Sequence, residues 1–171
     1  MTLTARFLAY IAAYERSYGD DDWTRLEPFF SEDAVHEVSG GSPLGGHWQG
    51  RNALIANLRQ RAESFDRRFD GRVVGPRGMP VQMGDAVALP WRAVYRLNRA
   101  PRDVLKIEGT QVASYSKDQI ERLRDQLRPG TDRRIQGYLR RHRCVVPGRS
   151  ANAADREAGG NQAQDEHPTS A

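Results

Sequence analysis

The sequence predicts an α+β fold in which N-terminal helices are segregated from a cone-shaped, curved antiparallel sheet and a further helix is added at the C-terminus. Apolar residues recur at helical spacing up to about residue 65. They then alternate with a period of two as far as residue 127, and return to helical spacing at 131–143. Helices and strands are therefore grouped rather than alternating, which argues against a doubly wound parallel sheet.

The helical part begins with an amphipathic helix at residues 4–18, whose apolar stripe is Leu3, Phe7, Ile11, Tyr14 and Tyr18. The aspartates at 20–22 end this helix and supply an N-cap for a short second helix through Trp23 and Leu26. A strand is then predicted at 34–38, a glycine-rich loop at 39–50 that forms a mobile rim, and a third helix at 52–65.

Strands dominate the second half, and Val73-Val74 opens the first of them. Gly84-Asp85 and Lys117-Asp118 are turn signals. Long strands are predicted at 86–97, 104–115 and 119–127, followed by a terminal helix at 131–143. Pro90 requires an edge or a bulge in its strand, because proline cannot donate a ladder hydrogen bond.

The chain has 171 residues, which favours one folded domain, assigned here to residues 1–145. Residues 146–171 contain no Leu, Ile, Phe, Tyr or Trp. They are predicted to form a disordered polar tail, because they cannot bury enough apolar surface to offset the entropy of ordering. Cys144 is the one cysteine of the sequence, which excludes a disulfide framework.

Basic residues outnumber acidic ones by 26 to 22, and almost all of them are arginine, a bias typical of GC-rich bacterial genomes. The C-terminal arginines are interleaved with carboxylates rather than gathered on one continuous face, which argues against nucleic-acid binding. No apolar run reaches the length of a membrane span, and no signal-peptide cleavage pattern follows the N-terminal apolar stretch. The expected location is the cytoplasm.

The segments Asp22-Trp23, 29–35, 45–50, 91–97 and 108–115 follow one another along the chain. Together they resemble the nuclear transport factor 2-like superfamily, and within it the SnoaL-like branch of polyketide cyclase-like and ketosteroid isomerase-like proteins. The resemblance spans about residues 3–143. It implies a cystatin-like α+β barrel, in which the sheet wraps around the N-terminal helices and leaves an apolar pocket inside. It also implies a homodimer formed through the outer face of the sheet.

The ketosteroid isomerase pattern can be carried over by position. The isomerase's oxyanion tyrosine falls on Tyr14, and its protonated acid falls on Gln111, which still donates a hydrogen bond. Its carboxylate base falls on Val38, which cannot transfer a proton. The resemblance therefore argues against the isomerase's usual route.

Asp125 is the sharpest catalytic candidate, because it shares a strand face with Leu123 and Leu127. If that face lines an apolar pocket, desolvation would raise the pKa of Asp125 and suit it to acid–base work. The alternative is a surface salt bridge. His36, on the same strand face as Val38, is either the partner of Asp125 or a hydrogen-bonded core residue.

The predicted ligand-binding residues are Tyr14, Trp91, Arg92, Glu108 and Gln111. Tyr14 and Gln111 would donate hydrogen bonds to a developing oxyanion, with core packing as the alternative for both. Arg92 and Glu108 lie on neighbouring strands. They form either a buried pair that holds water for epoxide opening or a structural cross-strand pair.

We therefore expect the protein to bind a small hydrophobic molecule in an internal pocket and to perform acid–base chemistry on it. Cyclisation, isomerisation and epoxide opening, as in secondary metabolism, are the reactions that fit. No metal or organic cofactor is implied, because the four histidines lack ligand spacing. The alternative is a non-catalytic module of the same fold that binds a ligand or a protein.

Overall fold

The computed structural model describes residues 1–40 and 43–143 of the chain. Its elements are α1 (Leu3–Asp20), a 3₁₀ helix (Trp23–Phe29), β1 (Phe30–Ser39), β2 (Gly46–Gln49), α2 (Arg51–Ser64), a 3₁₀ turn (Asp66–Arg68), β3 (Gly71–Pro76), β4 (Val81–Met83), β5 (Ala86–Arg96), β6 (Leu105–Ser116), β7 (Gln119–Leu127) and α3 (Thr131–Arg141). The tail predicted at 146–171 and Cys144 lie outside the described residues, so the domain boundary at 145 stays a prediction.

The strands form one curved, unclosed sheet in the order β2-β1-β7-β6-β5-β3, with β4 also paired to β5. This confirms the predicted α+β class. The expectation of an entirely antiparallel sheet is wrong at one pair, because β1 and β7 run parallel with Val38 opposite Asp125. The long stretch of chain between these two strands lets β7 enter from the same end as β1, which a parallel pair requires.

The glycine-rich segment predicted as a loop contains β2, which pairs antiparallel with β1. The Trp48 ring of β2 packs over His36, with 5.5 Å between ring centroids. Gly46 is needed in this strand because a Cβ there would overlap the Trp48 ring. A short strand that contains Gly46 therefore replaces the expected mobile rim over residues 46–49.

Pro90 lies inside β5 and pairs in register with Thr110 of β6. On the other edge of β5, Pro90 lies between the segment paired with β3, which ends at Trp91, and the segment paired with β4, which begins at Ala88. The missing N–H of proline is therefore tolerated where the neighbouring strands are interrupted. The Pro90 carbonyl still accepts a hydrogen bond from the Arg77 N–H at 2.8 Å.

Apolar side chains form two cores against the sheet. The first includes Phe7 and Tyr10 of α1 and Leu58 of α2, and the second includes Ile135 and Tyr138 of α3. The apolar stripe predicted for the first helix packs against the first core, and Phe7 is completely buried. Burial of these stripes holds the helices on the sheet.

No described helix is both long and apolar enough to cross a membrane. The 18 residues of α1 include the charged pair Glu15-Arg16. The cytoplasmic location and the homodimer both stay predictions.

Gly109 of β6 is expected not to tolerate a side chain. A Cβ at this position would lie 2.7 Å from the Gln126 carbonyl oxygen and 3.2 Å from the Trp91 ring. Gly109→Ala should therefore lower the free energy of unfolding by about 1–3 kcal/mol, measured by urea denaturation. Gly75→Ala in β3 is the matched control, because nothing lies within 4 Å of its added Cβ. Equal losses in the two variants would contradict this packing argument.

Candidate functional site

A cavity of about 160 Å³ lies between the sheet and the helices α1 and α2, where the two cores meet. Its apolar wall includes Tyr10, Leu58, Leu89, Trp91, Ala93 and Tyr95. Its polar wall is formed by Tyr14, Glu15, Arg61, Asp66, Arg72, Gln111 and Asp125. A cavity of about 150 Å³ holds benzene, so a space of this volume suits a molecule of about one ring.

Asp125 faces this cavity from β7, although only 3% of the residue is exposed. Leu123, Asp125 and Leu127 are the buried alternate residues of β7, as the period of two predicts. His36 Nε2 lies 3.0 Å from Asp125 Oδ2, and Gln111 Nε2 donates to Oδ1 at 3.1 Å. The carboxylate thus has a hydrogen-bond partner on each oxygen.

His36 supports Asp125 from behind and does not line the cavity. Its ring is completely buried, and Asn57 Nδ2 lies 3.2 Å from His36 Nδ1. When the Asn57 amide donates to Nδ1, the ring carries its hydrogen on Nε2 and donates it to Asp125. If the oxygen and nitrogen of the Asn57 amide are exchanged, the amide oxygen can instead accept a hydrogen bond from a protonated Nδ1. The two predicted catalytic residues are therefore in contact, but Asp125 alone faces the cavity.

The surroundings of Asp125 lower its pKa below that of an ordinary aspartate. Burial alone would raise the pKa, but the hydrogen bond from His36, the charges of His36 and Arg61, and the hydrogen bond from Gln111 outweigh it. The expectation of a raised pKa is wrong, because it counted burial without these partners. At neutral pH Asp125 is a carboxylate, which can accept a proton but has none to give.

Asp66 is a second buried carboxyl group on the cavity wall, with 2% of the residue exposed. Burial raises the pKa of Asp66 and outweighs the charges of Arg61 and Arg72 and the hydrogen bond from Tyr95. The Tyr95 hydroxyl donates to Asp66 Oδ1 at 2.8 Å. The two cavity carboxyls therefore have pKa values displaced in opposite directions, as in known pairs of acid and base.

The two arginines of the cavity differ in their partners. Arg72 donates to both carboxylate oxygens of Glu15, at 2.9 and 3.1 Å, and its Nε lies 3.2 Å from Asp66 Oδ2. Arg61 Nη1 lies 3.8 Å from Asp125 Oδ2, too far for a hydrogen bond. Burial lowers the pKa of each guanidinium, but the nearby carboxylates raise the pKa by more than burial lowers it. Both arginines therefore stay cationic.

Tyr14, Trp91 and Gln111, all predicted to bind ligand, line the cavity. Burial raises the pKa of Tyr14, so its hydroxyl keeps its proton at neutral pH. Trp91 Nε1 and Gln111 Oε1 are buried without a hydrogen-bond partner among the described residues. The cavity wall thus holds an unused donor and an unused acceptor.

The structure places Arg92 and Glu108 outside the cavity. Arg92 is exposed, and it lies opposite Glu108 in the register of β5 and β6. Glu108 forms ion pairs with Arg77 at 3.2 Å and Arg128 at 2.9 Å. We therefore leave both residues out of the proposed site, because they occupy the strand face opposite to that of Trp91.

Comparison with known proteins assigns the chain to a family. A family model described as a SnoaL-like domain matches residues 8–123. The chain belongs to the SnoaL-like family. This confirms the resemblance found in the sequence and places the protein in the nuclear transport factor 2-like superfamily. No curated protein matches the chain.

Solved structures share the SnoaL-like fold at low sequence identity. A putative isomerase from Rhodopseudomonas palustris is 17% identical with a TM-score of 0.60, covering 77% of this chain and 96% of that one. An NTF2-like protein from Burkholderia xenovorans LB400 is 20% identical with a TM-score of 0.55, covering 76% and 95%. TerC, co-crystallised with polyporic acid, is 16% identical with a TM-score of 0.54, covering 72% and 92%. At these identities the likeness shows the fold alone.

Several residues of this SnoaL-like site were not predicted: Trp48, Asn57, Arg61, Asp66 and Arg72. The signal for Arg61 was present, because it follows Leu58 by three residues on the apolar stripe of α2. Asp66 and Arg72 lie in short elements with no clear period. Among the described residues, no three His, Cys, Asp or Glu side chains come together as a metal site would require.

Asp125→Asn is expected to destabilise the protein mainly at neutral pH. The lowered pKa means that the Asp125 carboxylate stabilises the fold above the pKa of an unfolded aspartate, about 3.9. This stabilisation is lost as the pH falls through the folded-state pKa. Urea unfolding at about pH 6 and about pH 3 should show a larger loss of free energy at the higher pH.

Asp66→Asn should show the opposite trend, because the pKa of Asp66 is raised. Its protonated form stabilises the fold below about pH 3.9, and this contribution disappears as the pH rises through the folded-state pKa. The loss caused by Asp66→Asn should therefore shrink with rising pH. Asp118→Asn, in the exposed turn before β7, is the control. The same pH trend in both cavity variants would refute these assignments.

Proposed function

We propose that the protein binds a small, largely apolar carbonyl compound in its cavity and that Asp125 removes a proton from it. The observation that carries the proposal is the buried, ionised carboxylate of Asp125 on the wall of an apolar cavity. A carboxylate in such a place costs free energy unless it is matched by partners. His36, Gln111 and Arg61 stabilise the Asp125 carboxylate, which still faces the cavity where a ligand would bind.

The proposed step moves one proton. Asp125 takes a proton from the carbon next to the carbonyl group, the electrons of the C–H bond form a C=C bond, and the carbonyl oxygen becomes negatively charged. Returning the proton to another carbon gives isomerisation. Attack of the enolate carbon on a second carbonyl gives cyclisation, and the proton on Asp125 then passes to the new alkoxide.

The lowered pKa of Asp125 limits the substrates that it can deprotonate. A carboxylate with a low pKa is a weak base, so the transferred proton has to be an acidic one. Carbon next to two carbonyl groups, as in a β-keto ester, meets this need. His36 acts as a positioning residue, because it holds the carboxylate from the side away from the cavity.

Neutral donors on the cavity wall are available to the carbonyl oxygen. Tyr14 keeps its proton at neutral pH, because burial raises the pKa of its hydroxyl. Trp91 Nε1 is a further donor without a partner among the described residues. Donors fixed in advance around a developing negative charge stabilise the transition state.

Deuterium exchange tests the proposal without knowledge of the natural substrate. Cyclic ketones and cyclic β-keto esters of one ring are incubated with the protein in D₂O, and deuterium at the activated carbon is followed by NMR. The protein should accelerate exchange of at least one compound. Asp125→Asn should reduce the acceleration by a factor of about 10² to 10⁴, the usual contribution of a general base.

Glu108→Gln is the matched control, because it neutralises a carboxylate outside the cavity and should leave the exchange rate unchanged. Full exchange by folded Asp125→Asn would remove Asp125 as the base. Binding of the compounds without any accelerated exchange would favour the non-catalytic alternative, a ligand-binding module of this fold.

A further inference from the structure

Arg61 is a nearly buried cation whose hydrogen-bond donors are unused. Its side chain is 16% exposed on the cavity wall, and its Nε is buried without a partner among the described residues. Its ion-pair contact, with Asp125 Oδ2, is 3.8 Å long. Of the five N–H donors of a guanidinium, the one on Arg61 Nε is buried and unmatched, which costs free energy.

Arg72 shows that this is not a general property of arginines in the cavity. Its side chain is 9% exposed, yet it is held by two hydrogen bonds to Glu15. Arg72 is therefore neutralised within the protein. The Nε of each arginine is buried without a hydrogen-bond partner, but Arg61 also lacks the hydrogen bonds from Nη to a carboxylate that Arg72 makes.

The position of Arg61 relates it to the proposed proton transfer. Before the transfer, the charge of Arg61 is balanced by the Asp125 carboxylate 3.8 Å away. When Asp125 takes up a proton, that balance is lost, and a negative charge of the same size appears on the substrate oxygen. A cation that already lies beside the base can transfer its interaction to this oxygen without a change in net charge.

We propose that Arg61 is a catalytic residue that binds the negatively charged oxygen of the enolate formed when Asp125 accepts the substrate's proton. This inference rests on the proposed function and adds the substrate group that Arg61 contacts. The carbonyl oxygen accepts a hydrogen bond from the Arg61 guanidinium, which strengthens as the C–H bond breaks and the oxygen becomes anionic. The bond weakens again when the proton returns to carbon or passes to a new alkoxide.

A phenolate serves as a stable probe for the enolate. Asp125→Asn is the neutral counterpart of protonated Asp125, so it should bind 4-nitrophenolate at least about tenfold more tightly than the natural chain does. Binding is followed by the visible absorbance of the probe. Adding Arg61→Met to Asp125→Asn should weaken phenolate binding at least about tenfold, the expected loss of a charge-assisted hydrogen bond.

Two controls separate the oxyanion contact from charge and packing. Arg59→Met removes the same charge from α2 at a residue whose side chain is 52% exposed, and should leave phenolate binding in Asp125→Asn nearly unchanged. The neutral methyl ether, 4-nitroanisole, should bind equally well with and without Arg61. Equal phenolate affinity in folded proteins with and without Arg61 would overturn the proposal.

If the Arg61→Met variant does not fold, the ionisation of the bound probe decides. Contact with Arg61 predicts that 4-nitrophenol bound to Asp125→Asn ionises at a lower pH than the free probe. Ionisation at the same or a higher pH overturns the proposal.

The outcomes also distinguish this proposal from the function on which it rests. Phenolate binding that depends on Arg61, together with no deuterium exchange, would discard the base and keep Arg61 as an oxyanion-binding residue. Deuterium exchange that depends on Asp125, together with phenolate binding that does not depend on Arg61, would support Asp125 as the base and overturn the proposed role of Arg61.

Discussion

The carboxylate of Asp125 lies in an almost fully buried position, where a charge is stable only if donors and cations surround it. The fold supplies these from three directions: His36 from β1, Gln111 from β6 and Arg61 from α2. The parallel pairing of β1 with β7 brings His36 beside the carboxylate. The arrangement of the sheet and the position of α2 are thus both needed to keep one charge buried.

The residues around His36 also help to hold Asp125 in place, because they fix the imidazole that contacts its carboxylate. Trp48 of β2 covers the His36 ring, and Asn57 of α2 contacts its second nitrogen. A buried imidazole held on both nitrogens cannot rotate freely, so it fixes the carboxylate that it contacts. The glycine-rich segment contributes to this support, because Gly46 leaves space for the Trp48 ring that covers His36.

Asp125 and Asp66 both lie on the cavity wall, but their surroundings shift their pKa values in opposite directions. Asp125 has partners on both oxygens, and its pKa is lowered, whereas burial dominates at Asp66 and raises its pKa. The pKa values of the two cavity carboxyls are therefore displaced in opposite directions, lowered at Asp125 and raised at Asp66. Arg72 donates two hydrogen bonds to Glu15, whereas Arg61 makes no side-chain hydrogen bond to the described residues.

Local periodicity predicted much of the fold and part of the site. The helices predicted at 4–18, 52–65 and 131–143 are α1, α2 and α3, and the strands predicted at 34–38, 86–97, 104–115 and 119–127 are β1, β5, β6 and β7. Asp125 was found because strand alternation groups it with buried leucines. The same rule applied to Trp91 would have placed its neighbour Arg92 on the opposite face.

The remainder depends on pairings between distant parts of the chain. Nothing local in β1 indicates that it runs parallel to β7, so the mixed sheet could not be derived. Strand faces alone suggested His36 as a partner of Asp125, but not the further donors Gln111 and Arg61. The sign of the Asp125 pKa displacement depends on those donors, and was therefore wrong when burial alone was considered. Asp66 was missed because its burial is set by Tyr95 and Arg72, which belong to other elements.

Titration of the Asp125 carboxyl carbon by NMR tests the central claim most directly. The signal can be assigned as the one lost in Asp125→Asn. We expect a midpoint below that of an ordinary aspartate, about 3.9, because His36, Gln111 and Arg61 favour the ionised form. A midpoint above this value would mean that burial prevails, and would contradict the assignment of Asp125 as an ionised base.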